Sequence, residues 1–297
     1  MSLQPPIDNV LFGDNQFFGI NHMSEDKARE QAVRFQDTEA IIAVLDSARD
    51  EGIRTFMCTT HERIGEVCDH MRERPERYAD YVFFPCMPYA HKYNDAVAEL
   101  GMMGALRRFA PQGTARALIA GGKTAAGRSI DSVVRLLVDA EMKMFRGLSA
   151  PVVFLQNVVV DFLLGLGFDD AFRVFAEHVR DEYDAAPGFI TMNLPPLVDT
   201  LERLGIEQPI ICSNINKVGF RMCGGVDVYE RALSEGRCRA IAMSVMASGA
   251  IPPAEAIEYV ASLPNIEAIV FGASSAGHIR ETKRIADSYF AARDTRE

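Results

Sequence analysis

Residues 238–272 read CRAIAMSVMASGAIPPAEAIEYVASLPNIEAIVFG and hold a strand, a loop and a helix followed by a second strand. The runs 238–244 and 266–272 are almost wholly apolar at their starts and turn small and polar at their ends. A strand buried on both faces has that composition, and the polar end marks where it opens onto solvent. Between the two runs, Pro252 and Pro253 begin a helix, since the first helical turn has no N–H bond for proline to break. Buried strands joined through a helix lie parallel in one sheet.

The same unit recurs toward the amino terminus. Apolar runs at 9–17, 53–60, 81–88, 151–158, 188–193 and 209–214 are each followed by turn chemistry and helical periodicity. Asp37-Thr38 leads into a helix in which Ile41, Val44, Leu45 and Ala48 share one face and Gly52 ends the run, while Asp169-Asp170 opens another. Eight strand and helix pairs predict a single-domain (β/α)₈ TIM barrel over residues 1–297, a fold that takes about 250 residues. An open doubly wound sheet is the alternative, because periodicity does not report closure. Two connections are longer than the fold needs, Phe18 to Gln36 after the first strand and His91 to Ala150 after the third. Within the second, GGKTAAG (121–127) has Ala117 where a phosphate-binding P-loop needs its first glycine, so it reads as a turn between helices.

Composition narrows the class of partner. The chain has 48% hydrophobic and 24% charged residues and a net charge of -10, with no Lys/Arg cluster of the kind that binds nucleic acid or an anionic membrane. Six cysteines without a CxxC pair indicate neither a disulfide framework nor a structural zinc site. No basic region with an apolar core opens the chain, and the apolar stretch 152–168 is broken by Gln156, Asn157 and Asp161. A cytoplasmic protein acting on a small molecule is expected, with a homo-oligomer left open.

Catalytic and binding groups of this fold gather at the carboxyl ends of the strands. There the sequence places Asp14, Asn15 and Gln16 after strand one, Thr59, Thr60, His61 and Glu62 after strand two, and Tyr89, His91 and Lys92 after strand three. Gln156, Asn157, Asn193, Asn214 and Lys217 follow on strands four to six. Amides orient neutral polar groups and cannot act as bases, so proton transfer is assigned to His61 with Glu62 or Asp14, and His91 is next in line. Asp14, His61, Glu62 and His91 also form the set that could hold a divalent metal, although their spacing matches no known ligand pattern. Cys58 is read as a buried hydrophobe before a nucleophile, and His70 and His178 as surface residues of helices. The loops SVMASGAI (244–251) and FGASSAGHI (271–279) let backbone N–H groups approach an anion, which makes Gly249, Gly272, Ala273, Ser274 and Ser275 the expected phosphate site.

FGDNQFFG, AVLDSARDEGIRTFMCTT, AIAMSVMASGAI and PNIEAIVFGASSAGHIRETKRIADS together resemble the aldo/keto reductase barrel at both ends of the chain. The resemblance implies NADP or NAD with its phosphate near Ser274, Ser275 and Arg280. It does not carry over the catalytic set. The family's acidic residue in strand two aligns with Cys58, its strand-four histidine with Gln156, its tyrosine has no counterpart in THERIGEV, and no lysine closes FFPCMP. Three classes of function therefore stay open: a divergent NAD(P)-linked oxidoreductase whose acid is rebuilt from His61 or Tyr89; a lyase, isomerase or hydrolase on a phosphorylated or acidic small molecule; and a ligand-binding barrel without catalysis.

Overall fold

The computed structural model describes residues 3–19, 25–89 and 123–294. Eight parallel strands pair in sequence order and the last pairs with the first: β1 (Val10–Gly13), β2 (Thr55–Thr59), β3 (Val82–Met87), β4 (Val152–Leu155), β5 (Ala186–Thr191), β6 (Ile210–Asn214), β7 (Arg239–Met243) and β8 (Ile266–Phe271). The chain is a closed (β/α)₈ barrel, and the open sheet is excluded. Around it run α1 (Glu25–Arg34), α2 (Thr38–Asp50), α3 (Glu62–Arg72), α4 (Pro75–Tyr78), α5 (Lys123–Met142), α6 (Asn157–Leu166), α7 (Asp170–Tyr183), α8 (Leu194–Arg203), α9 (Val226–Ser234), α10 (Pro253–Ser262) and α11 (Ala276–Asp294). No described helix is long and apolar enough to cross a membrane.

Alternation along each strand makes two apolar shells. Leu11, Met57, Phe84, Cys86, Phe154, Ile190, Cys212 and Ile241 fill the barrel, while Phe12, Phe56, Cys58, Val153, Phe189 and Ile269 face the helices. Gly188 is required by the inner shell, because a Cβ there would stand 2.5 Å from the Phe154 ring. The amino-terminal segment closes one mouth: Ile7 packs on the inner shell, Thr55 donates to Asp8 at 2.7 Å, and Arg239, paired with Glu267 at 2.6 Å, also donates to the Pro5 carbonyl at 2.9 Å. The carboxyl mouth lies at the other end.

Local chemistry moves several expected boundaries. β1 stops at Gly13 and the chain turns into a 3₁₀ helix over Asn15–Phe18, so the expected strand 9–17 is half as long. β4 stops at Leu155, and the Val-rich run after it is the start of α6, where tertiary packing overrides β-propensity. Part of the long connection after strand one is α1, and Lys123 to Gly127 lie in α5, not in a turn. His178 is not a surface residue. Its Nε2 lies 2.7 Å from Asp139 Oδ1 and its Nδ1 3.2 Å from Arg135, and the residue is 4% exposed beneath α5.

Candidate active site

Asp14 leaves β1 and turns across to β2, where its Oδ2 accepts both the backbone N–H and the hydroxyl of Thr59 at 2.7 Å each. The side chain is buried, and burial pushes its carboxyl above the ordinary 3.8, with the Thr59 bonds opposing. Asp14 in turn helps to raise Cys86, which faces into the barrel, and Cys58, which faces the helices; burial is the larger cause in both thiols. Cys58 is fully buried in the outer shell and does not reach the mouth, which fits the core reading.

His61 follows at the start of α3. Its Nδ1 accepts the Arg63 N–H at 3.1 Å, capping the helix, so a neutral ring carries its proton on Nε2. The ring stacks on Phe18 at 4.3 Å between centroids and meets Tyr89 edge to face at 5.2 Å. Tyr89 is half-buried, and its phenol is raised by burial and then by Asp14, with Arg63 opposing. Three strand ends thus converge: Asp14 and Phe18 from β1, His61 from β2, Tyr89 from β3. Glu62 is exposed in the first turn of α3, where a carboxylate complements the helix dipole.

The expected amides divide by environment. Asn214, on an inward-facing position of β6, is 1% exposed and its Nδ2 has no partner among the described residues. Gln16 donates to the Gly13 carbonyl at 2.8 Å, and its buried Oε1 is unpartnered. Thr60 adds a third buried polar atom without a partner at this end of the barrel. Gln156, Asn157 and Asn193 are half-buried around the rim at the starts of α6 and α8, and Asn15 is exposed. Lys217 turns outward to Glu255 at 2.8 Å. His91 and Lys92 lie outside the described residues. Among the described residues, no three His, Cys, Asp or Glu side chains gather as a metal site.

The loops after β7 and β8 come from hydrogen-bonded neighbours. After β7, Ser244, Ala247, Ser248 and Gly249 all have positive φ, from 46° to 92°. After β8, Ser275 caps α11, its Oγ accepting the His278 N–H at 3.4 Å. The first turn of this 19-residue helix has no acidic residue and is exposed from Ser275 to His278. Ala273 and Ser274 are half-buried beside it. Arg280 is engaged with Glu51 at 2.7 Å. Gly272 is packed closely: a Cβ there would lie 2.0 Å from Gln16 Oε1. The sequence reading missed Phe18 and Arg63, which no local pattern ties to His61 and Tyr89 apart from the position of Arg63 two residues after His61.

No family model matches the chain, and no curated protein matches it. Solved structures do. A protein from Pseudomonas aeruginosa described as an aldo-keto reductase superposes with a TM-score of 0.60 at 14% identity, covering 97% of this chain and 96% of that one. Aldose reductase from Giardia lamblia gives 0.56 at 13% identity over 99% and 93%. A protein described as 2,5-diketo-D-gluconic acid reductase B gives 0.56 at 12% identity over 97% and 86%. The chain therefore has the aldo-keto reductase fold along nearly its whole length.

Proposed function

We propose that the chain is an NAD(P)-linked oxidoreductase acting on the carbonyl group of a small molecule, with Tyr89 as proton donor and His61 beside it. The observation that carries this reading is the His61–Tyr89 contact, 5.2 Å between ring centroids at the carboxyl mouth, beside the buried Asp14. Solved structures with this fold are described as reductases, and in this reading Asp14, His61 and Tyr89 take the place of the acid groups that the aligned positions lack. The donor set suits the cofactor: the exposed first turn of α11 offers N–H groups and a positive dipole end to a phosphate, as Ser274 and Ser275 were expected to do. Asn214 Nδ2, a buried donor on the inward face of β6 without an acceptor among the described residues, suits the carbonyl of an amide such as that of nicotinamide.

When bound, NADPH or NADH would supply the hydride that the carbonyl carbon takes. The chain's own residues manage the charge that this leaves on oxygen. Tyr89 carries its phenolic proton at neutral pH as any phenol does, and burial holds it there; the developing oxyanion is basic enough to take it. The Nε2–H of His61 donates a hydrogen bond to the same oxygen, and the Arg63 N–H on Nδ1 fixes which ring nitrogen bears that proton. Phe18 holds the imidazole plane and excludes water from one face. The test is NADPH oxidation with small aldehydes: Tyr89→Phe should lower kcat by about 10²-fold, the usual contribution of a positioned proton donor. Near-normal turnover in that variant would remove Tyr89 from the proposal.

A further inference from the structure

Arg63 lies on the first turn of α3 with its guanidinium 5.1 Å from the centroid of Phe18, the ring that stacks on His61. One of its N–H groups is bonded to the Phe35 carbonyl, which fixes the arm. Its charge reaches Tyr89, whose phenol it pulls down against burial and Asp14. Arg49, Arg54, Arg72, Arg77, Arg203, Arg237 and Arg239 each have a carboxylate within 4.0 Å. Among the described residues Arg63 has none, and its guanidinium makes no hydrogen bond there besides the one to the Phe35 carbonyl.

A half-buried cation over an aromatic ring, held by one bond and lacking a counter-ion, is an anion receptor: guanidinium presents paired donors that match a carboxylate. We propose that the carbonyl substrate carries a carboxylate and that Arg63 binds it, placing the carbonyl at Tyr89 and His61. The proposal rests on the oxidoreductase reading and adds to it a substrate class, a small oxo acid or an aldehyde bearing a carboxylate.

The experiment compares 4-formylbenzoate with its methyl ester under saturating NADPH, in the wild type, Arg63→Met and Arg63→Lys. Arg63→Met keeps the apolar stem over Phe18 and removes the charge. Its loss in kcat/KM for formylbenzoate should exceed its loss for the ester by about 10- to 100-fold, the value of a charge-assisted hydrogen bond. Arg63→Lys should recover part of that difference, since it restores charge without the fork. Equal losses on both substrates would overturn the proposal and assign Arg63 to holding α3 against the Phe35 carbonyl. Benzoate, which cannot be reduced, separates this claim from the parent reading. Calorimetric binding of benzoate that weakens at least about tenfold in Arg63→Met supports the anion site even where no NADPH is consumed. Benzoate binding that is absent in the wild type, or equal in wild type and variant, overturns it.

Discussion

Asp14 Oδ2 takes both Thr59 donors at 2.7 Å, so one carboxylate oxygen ties the end of β1 to the end of β2. The group is buried and its folded pKa stands above 3.8, so between the unfolded and folded values the native state binds the extra proton. Stability from this site is therefore fully present below the unfolded value and is lost as pH rises through the folded one. Asn at this position keeps an oxygen for both Thr59 bonds and cannot ionise. The melting temperature of Asp14→Asn minus that of the wild type should thus grow as pH rises from about 4 toward neutrality, the range in which an ordinary carboxyl has lost its proton. A difference that shrinks with pH contradicts the burial assigned to Asp14.

His61 has two roles that different variants separate. As the cap of α3 it accepts the Arg63 N–H, and His61→Ala should cost about 1 kcal/mol of stability in denaturant unfolding. His61→Asn keeps a capping oxygen, so it should unfold close to the wild type while losing about 10²-fold or more in turnover if the imidazole assists proton transfer. Equal turnover in His61→Asn and wild type would reduce His61 to a cap.

Gly272 and Gln16 are matched. A methyl group at 272 falls 2.0 Å from Gln16 Oε1, and Gln16 is itself buried and bonded to the Gly13 carbonyl. Gly272 is exposed, and the group it would displace is the end of the Gln16 side chain, so Gly272→Ala should destabilise the barrel by about 1–2 kcal/mol, the lower part of the overpacking range. In the presence of Gln16→Ala the same change should cost at least about 1 kcal/mol less, as contacting residues are not additive. Additive losses in urea melts would place the strain elsewhere.

Gly277 sits in the first turn of α11 with open space where a side chain would begin. Gly277→Asp puts a negative charge at the positive end of the helix and should weaken NADPH binding by about 5- to 10-fold, read from the cofactor's own fluorescence. Gly277→Lys should not weaken it. Equal weakening by both charges would move the phosphate away from this turn.

All eight strands were legible, because each is buried on both faces and bounded by turn residues. Their ends were less so. β1 shortens for a reason that lies 45 residues away, the Asp14 bond to Thr59, and no window of sequence contains both partners. His61 and Asp14 were visible from their places at strand ends. The pairing of His61 with Tyr89 and of Gln16 with Gly272 was not, since each joins different strands. His178 looked exposed from its helix alone, and α5 covers it only once the barrel has closed.

The most direct test of the account follows the hydrogen itself. The wild type is incubated with NADPH deuterated at the reactive C4 position and 4-formylbenzoate, and the alcohol product is analysed by mass spectrometry. The account predicts one deuterium in the hydroxymethyl group, formed about 10²-fold more slowly by Tyr89→Phe. Wild-type protein that binds NADPH yet forms no deuterated alcohol from this or any other carbonyl compound in a carboxylate-bearing panel would contradict it.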